Sequence, residues 1–312
     1  MHESNACAVP FYYITKIMKT FYDCLPCFVK QALGTLRRSE ASDSQTESVM
    51  RQVFKQMESI DFSLPPPVTA KNIYRLIRNT VTGEDLYVKD KQRFNRFALD
   101  ILPQLQKKVS SGPGRFEEKI KLAIAANIID FGKNDQLCES DVLFCFNKAL
   151  EQTVDSSAVK ELEKSIDSAD RILFLCDNAG EIVFDRYLLE DLPKHKIKCA
   201  VRGFPVINDA TMEDAIDVGL ADEFRVISNG ADIPGTVLDE CSEEFRKEFH
   251  DADFIIAKGQ GNFETLSDIK DKKIFFLLQV KCPVIARDIG FPVGSFVIKQ
   301  NVLEKVYDSK ET

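Results

Sequence analysis

The string Asp177-Asn178-Ala179-Gly180-Glu181 places a carboxylate, an amide and a second carboxylate within one short stretch, and Asn208-Asp209 repeats the amide and carboxylate further along. Lys258-Gly259-Gln260-Gly261-Asn262 adds a cation and another amide. Oxygen donors of this kind suit a hard divalent ion. Magnesium and manganese favour octahedral surroundings, so three protein oxygens from Asp177, Asn178 and Asp209 would leave places for water and a substrate oxygen. The bland alternative is helix capping, because aspartate is a favoured N-cap and both Asp177 and Asp209 precede amphipathic stretches. With Asn178, Glu181, Asn208 and Lys258 on the same rim, a ligand site accounts for more of the pattern than capping does.

Composition narrows the chemistry. The chain has 312 residues, 44% hydrophobic and 29% charged, the balance of a globular protein with two domains or one elaborated domain. Its 41 basic and 49 acidic residues give a net charge of -8, which repels nucleic acid and anionic membranes as a whole. A phosphate-bearing ligand must then be met locally, by a metal or a few aimed cations. Histidine occurs only at His2, His195 and His250, too few for His-rich zinc centres or histidine nucleophiles. Catalysis falls to carboxylates, amides, lysines or cysteines. No apolar run is long enough to span a bilayer, and the first residues lack the basic-then-apolar order of a secretory signal. The nine cysteines, an odd number, read as reduced thiols, so the expected location is cytoplasmic.

These residues need a scaffold that brings them to one edge. From 171 onward short apolar runs alternate with amphipathic stretches: RILFLCD (171–177), KIKCAVRG (196–203), EFRVISN (223–229), DFIIAKG (253–259) and KIFFLLQVKC (273–282). Helices are expected between them over 180–192, 209–219, 236–249 and 262–270. Apolar strands with helical crossovers predict a mostly parallel sheet covered on both faces, a Rossmann-like three-layer α/β/α domain over 169–312, with SFVIKQN (295–301) as an edge strand. Ligands of such sheets bind beyond the carboxyl ends of the strands, where Asp177, Arg202, Asn229 and Lys258 all fall. Residues 1–168 read as an all-helical domain, with apolar residues at three- and four-residue spacing over 24–37, 69–79, 89–108, 115–131 and 139–152. Turn-forming material at 39–48, at the triple proline 65–67 with Thr69 as an N-cap, and at 110–114 divides those helices.

Several motifs carry a resemblance. DNAGE (177–181), VINDAT (206–211) and KGQGNFE (258–264), with CLPC (24–27), TGEDLYVKDKQRFN (82–95), AANIIDFG (125–132), and KCPVIA (281–286) followed by GFPVGS (290–295), resemble in order the metal-dependent damage-control phosphatases, long called domain of unknown function eighty-nine, and specifically their cysteine-containing branch. The resemblance covers 24–295. It implies hydrolysis of phosphate monoesters of small metabolites, such as sugar phosphates or damaged metabolite phosphates, with one divalent ion: manganese, magnesium, cobalt or nickel. It matches Asp177, Asn178 and Asp209 to metal ligands and Lys258 to a phosphate-contacting lysine. Glu181 becomes the best general acid or base, Arg202 a second cation where the family often has lysine, and Asn208 and Asn262 substrate contacts. Phosphoryl transfer passes through a loose transition state with charge spread over the equatorial oxygens, so positioning and charge neutralisation supply most of the rate. Two routes stay open, attack by water or an aspartyl-phosphate on Asp177.

Other groups divide between function and structure. Lys91 and Asn95 are four apart on one helix face beside Asp85 and Tyr87, and read either as a lid over the substrate or as a solvated face; the resemblance favours the lid. Asn127 and Asp130, on an otherwise apolar helix, need buried partners and predict interdomain hydrogen bonds. Cys24 and Cys27 form a C-x-x-C that, joined by Cys282, would make a second metal or thiol site stapling the domains; the alternative is packing as small hydrophobes. Cys7, Cys138, Cys145, Cys176, Cys199 and Cys241 read as core or incidental. Two rival functions are an S-adenosylmethionine-dependent carboxyl methyltransferase, although no G-x-G-x-x-G follows 171–177, and a non-catalytic metal-binding protein. The expected partner is a small phosphorylated metabolite, with neither nucleic acid nor membrane.

Overall fold

Side chains along a strand alternate between faces, and here both faces are apolar. In β1 (Ile172–Leu175), Ile172 and Phe174 enter one core while Leu173 and Leu175 enter another. The same division holds for β2 (Ile197–Val201), β4 (Phe254–Lys258), β5 (Ile274–Gln279) and β6 (Phe296–Gln300), whereas β3 (Arg225–Ser228) at the edge is partly exposed. The computed structural model describes residues 18–81, 84–128 and 139–302. Its strands form one sheet in the order β3-β2-β1-β4-β5-β6, parallel except for β6, which runs antiparallel to β5 as the edge strand.

Helices cover both faces. One face carries α4 (Val88–Gln106), α5 (Arg115–Ala125), α6 (Glu139–Glu151), α7 (Ser156–Ser168), α8 (Glu181–Leu189), α9 (Met212–Asp217) and α10 (Leu220–Glu223). The other carries α11 (Glu243–Asp251), α12 (Gly259–Leu266) and α13 (Pro283–Ile289). The remaining helices, α1 (Leu25–Arg38), α2 (Asp43–Glu58) and α3 (Pro66–Val81), close around their own core of Phe28, Leu36, Val49, Val53, Ile73 and Ile77. Residue 168 is therefore where helices give way to strands but not where a core ends: Ile101, Ile124, Phe146 and Leu162 share one apolar cluster with Phe174 and Phe275. Among the described residues no helix is long and apolar enough to cross a membrane.

Several local expectations shift. The polar run 39–48 hides the start of α2, where the Ser42 hydroxyl accepts from the Gln45 N–H and the Gln45 side chain accepts from the Ser42 N–H, a reciprocal capping box. Helix α7 opens on Asp155, whose carboxylate accepts from the Ser157 and Ala158 amides. Thr69 lies inside α3, which begins at Pro66, because proline is well suited to a first helical turn. The stretch 236–249 is broken by a 3-10 turn, Leu238–Glu240, before Ser242 caps α11. Helix α12 begins at Gly259, directly after β4.

The strand order reverses between β1 and β4. The chain moves outward through β2 and β3 on one side and returns to β4 and β5 on the other, which opens a crevice at the carboxyl ends of β1 and β4.

Candidate active site

The loops after β1 and β2 are lashed together. The Ala210 N–H donates to the Asp177 carbonyl (2.8 Å), the Ala179 N–H to the Asn208 carbonyl (2.9 Å), and Asn178 and Asp209 form an isolated antiparallel bridge. Asp177, Asn178 and Asp209 are brought side by side in this way. The second loop turns at Ile207, whose φ of 48° is left-handed backbone that a β-branched residue rarely adopts. Tyr74, Tyr87 and Val206 pack around it, and Arg78 donates to the Pro205 carbonyl (3.1 Å), so α3 holds the turn from outside. At Gly259 (φ 80°) a Cβ would lie inside the Asp177 carboxylate, so only glycine lets β4 approach β1 here.

The charges converge but do not balance. Asp177 Oδ2 accepts from the Asn127 amide (2.8 Å) and the Asn178 amide (2.9 Å), while Oδ1 faces Arg202 Nη2 at 3.7 Å. Arg202 Nε bonds Asp209 Oδ2 (2.6 Å), and its buried Nη2 has no hydrogen-bond acceptor. Glu181 Oε2 accepts from Asn127 and Asn178; Oε1 accepts from Lys258 (2.6 Å), which also donates to Asp185 Oδ1 (2.6 Å) and the Ala123 carbonyl (3.0 Å). Burial, reinforced by the charges of Glu181 and Asp209, pushes the Asp177 carboxyl up to about 8, against the pull of Arg202 and Lys281. Burial also raises Asp209, with Arg202 opposing, and pushes Asp185 up to about 7 despite Lys258. Burial pulls the Lys258 pKa down, but Asp185 and Glu181 outweigh it and hold it above the ordinary lysine value.

This geometry corrects several sequence-based expectations. Lys258 is fully buried and spends its three N–H bonds on Ala123, Glu181 and Asp185, so it has none to offer a phosphate; its role is to fix Glu181. Lys91 is no lid, because it is buried against Asp214 (2.7 Å), Asp85 (3.1 Å) and Thr211 (3.3 Å). Asn95 is equally buried, its carbonyl oxygen accepting from the Gly180 N–H (2.7 Å) and its amide donating to Asp214 (3.0 Å). Asn262 is enclosed too, donating to the Lys258 carbonyl (2.8 Å) and accepting from Thr236 (2.8 Å), so it braces α12 rather than meeting substrate. Asn208 stays half-buried at the rim, its carbonyl engaged by Ala179.

Asn127 makes the bonds between helical half and sheet that its position implied, and makes them to Asp177 and Glu181 themselves; Asp130, like Cys7 and Cys138, lies outside the described residues. Cys24 and Cys282 are half-buried and Cys27 is exposed. Burial raises the Cys24 thiol, and Glu264, Cys282 and Cys27 are near enough to add to the effect. Among the described residues no three His, Cys, Asp or Glu side chains converge closely enough to grip a metal ion, so the cysteines form no cage: Cys282 instead accepts from Gln260 at 3.8 Å, and Cys27 points back to the Asp23 carbonyl. Cys176, Cys199 and Cys241 are buried as read, whereas Cys145 is exposed. Asp185 escaped notice in the sequence, although its place four residues after Glu181 puts both on one face of α8.

A hard cation fits the residues present. Since no three acidic side chains converge among the described residues, the set that fits is two carboxylates, Asp177 and Asp209, with the Asn178 amide. It lies inside a cluster where Glu181 and Asp185 are held by Lys258 and Asp209 by Arg202. The donors are oxygen, the chemistry such ions prefer. The Asn178 amide now donates toward Asp177, and a half-turn would present its oxygen in the same place.

Comparison with known proteins shows the family and the fold. Residues 20–297 match the family model described as the damage-control phosphatase ARMT1-like domain. A damage-control phosphatase from Pyrococcus horikoshii is 33% identical over 290 residues, covering 91% of this chain and 99% of its own. Another, from Archaeoglobus fulgidus, is 35% identical over 240 residues (74% and 81%), and an uncharacterized protein from Methanocaldococcus jannaschii is 34% identical over 287 (88% and 93%). The crystal structure of a DUF89 family protein from Pyrococcus horikoshii superimposes with a TM-score of 0.83 at 33% identity, covering 91% of this chain and 99% of that one.

Proposed function

Given that the chain belongs to the damage-control phosphatase family, we propose that it hydrolyses small phosphorylated metabolites, sugar phosphates or damaged metabolite phosphates among them, with a divalent cation held by Asp177, Asn178 and Asp209. Relatives named as damage-control phosphatases support the phosphatase activity itself. The observation that supports the metal dependence is the geometry: Asp177, Asn178 and Asp209 stand side by side on two loops tied by main-chain hydrogen bonds, and Arg202 comes no nearer to Asp177 than 3.7 Å.

When bound, the ion supplies Lewis-acid polarisation of a phosphoryl oxygen and neutralises charge at the reacting centre. The chain does the rest. Lys258 fixes Glu181 Oε1, and Asn127 and Asn178 donate both to Glu181 Oε2 and to Asp177 Oδ2, which holds the proposed general acid or base next to Asp177. Arg202, anchored on Asp209 through Nε, keeps Nη2 for a developing phosphoryl charge. The N-termini of α8 and α12 open on the same crevice and favour anions there.

Asp177→Ala and Asp209→Ala should each abolish phosphate release from a panel of sugar phosphates, nucleotides and phosphopantetheine-like esters assayed with manganese, magnesium, cobalt or nickel, while circular dichroism stays native. Turnover equal to that of the wild-type protein in either variant would refute the assignment. The same preparations titrated with S-adenosylmethionine should give no binding heat, which separates the methyltransferase reading.

A further inference from the structure

Asn229, the first residue beyond β3, is 1% exposed, and its backbone is fully engaged. Its N–H donates to the Val201 carbonyl (2.9 Å), and its carbonyl accepts from the Ser242 N–H (2.9 Å). The side-chain oxygen is engaged as well: Oδ1 accepts from the Gly203 N–H (2.9 Å) and the Ala231 N–H (2.9 Å). Two donors on one oxygen fix which way round the amide lies, because a half-turn would set Nδ2 against both N–H groups. Nδ2 is therefore the free end, buried, and among the described residues nothing accepts from it. Enclosing an amide N–H without an acceptor is costly, and such a group in a folded protein calls for a use.

Its position supplies one. Gly203 directly follows Arg202, whose Nη2 is likewise buried without an acceptor, so two unserved donors stand at the carboxyl ends of neighbouring strands. At Gly203 a Cβ would come within 2.5 Å of the Gly230 backbone, so the two loops press main chain against main chain. Ser242, bonded to Asn229, follows Cys241; burial pushes that thiol up to about 12, and Arg202 is the largest charge opposing the rise. The guanidinium and the Asn229 amide thus share one neighbourhood. Beyond Asn229 the chain crosses to α12, where Gly235 packs against Gly261, so 229–235 spans from the carboxyl end of β3 to that of β4. Strands lie about 4.8 Å apart, which puts β3 about 10 Å from β1 across the sheet.

We propose that Asn229 is a substrate-contacting residue of this site, its Nδ2 donating to a hydroxyl or carbonyl oxygen on the alcohol part of the phosphate ester. The inference rests on the phosphatase reading. Arg202 and Asn229 then divide the substrate between them: the guanidinium meets the phosphoryl charge, and the amide reads an oxygen on the group that bears it. The consequence is selectivity. A site with a buried donor waiting for an acceptor discriminates against an ester that has none, because that ester leaves the donor unpaired. Sugar phosphates carry such oxygens, and phenyl phosphate does not.

Asn229→Asp removes the N–H groups while a carboxylate oxygen still accepts from Gly203 and Ala231. In manganese-loaded protein, kcat/KM for the preferred sugar phosphate, divided by that for phenyl phosphate, should fall about tenfold in this variant; the ratio cancels any effect of the new charge on the shared phosphoryl group. Deoxy analogues of the same sugar phosphate make the cut from the other side and need no variant to fold: with the wild type, at least one should lose about tenfold in kcat/KM. An unchanged ratio in Asn229→Asp overturns the proposal whatever the loss of rate, and so does a wild type indifferent to every deoxy analogue. A wild type that hydrolyses phenyl phosphate as well as any sugar phosphate overturns it too. Failure of the wild type to hydrolyse any ester overturns the phosphatase reading, and calorimetric binding of the two esters then decides this one. Affinity lost about tenfold for the sugar phosphate alone in Asn229→Asp upholds the contact, and equal losses for both esters overturn it.

Discussion

Asp177, just beyond β1, and Asp214, in the first turn of α9, are both buried aspartates, yet their surroundings treat them oppositely. Asp214 is saturated: Oδ2 accepts from Lys91, from the Thr211 N–H (2.9 Å) and from the Thr211 hydroxyl (2.8 Å), and Oδ1 accepts from Asn95. Asp177 has two neutral amides on one oxygen and an arginine nitrogen beyond hydrogen-bond range on the other. A buried charge whose partners all come from the chain serves the fold. A buried carboxyl left short by its own chain is where the proposed cation would bind, and that difference separates the framework of this molecule from its candidate site.

Substitutions can break that contrast. The largest effect is expected for Asp214→Ala, which leaves Lys91 buried without its closest partner and removes the cap of α9; it should cost about 3–5 kcal/mol in urea unfolding. A loss below about 1 kcal/mol would mean that Asp214 is not the structural member of the pair. Asp177→Asn should act with the opposite sign. The folded carboxyl keeps its proton up to about pH 8 while the unfolded one ionises near 3.8, so the metal-free wild type loses stability as pH rises through that window. The asparagine variant escapes this loss and should be more stable at pH 8 by about 1–3 kcal/mol, with the gain vanishing toward pH 4. Manganese should raise the wild-type melting temperature and leave the variant's unmoved, and chelation should reverse the wild-type gain. The smallest effect belongs to Asp185→Asn. Burial raises Asp185 to about 7 in the folded protein, so stability measured from about pH 4 to 7 should fall less steeply in the variant. An identical slope in both proteins would show that Asp185 does not titrate in that range.

The sheet was legible in the sequence because its strands are apolar on both faces and its rim loops carry the polar residues, so 171–177, 196–203 and 253–259 stand out against their surroundings. Helix α2 was not, since its first turn is serine- and acid-rich and its signal is a capping box rather than an apolar stripe. Which loops meet at the crevice was also readable from residue type. What each polar side chain does there was not: Lys258, Asn95 and Asn262 look like ligand contacts by composition, and their enclosure depends on Ala123, Gly180 and Thr236 arriving from distant positions.

The left-handed turn at Ile207 limits how far this architecture can be dismantled. An isoleucine in that conformation stays there only under pressure from Tyr74, Tyr87 and Arg78, groups that belong to the amino-terminal half. Cut away from those helices, the turn would relax to extended backbone and carry Asp209 out of reach of Asp177. The strands and their loops are thus not a transplantable cassette: a graft that kept each proposed cation ligand but left α3 behind would inherit the candidate site's ingredients without their alignment.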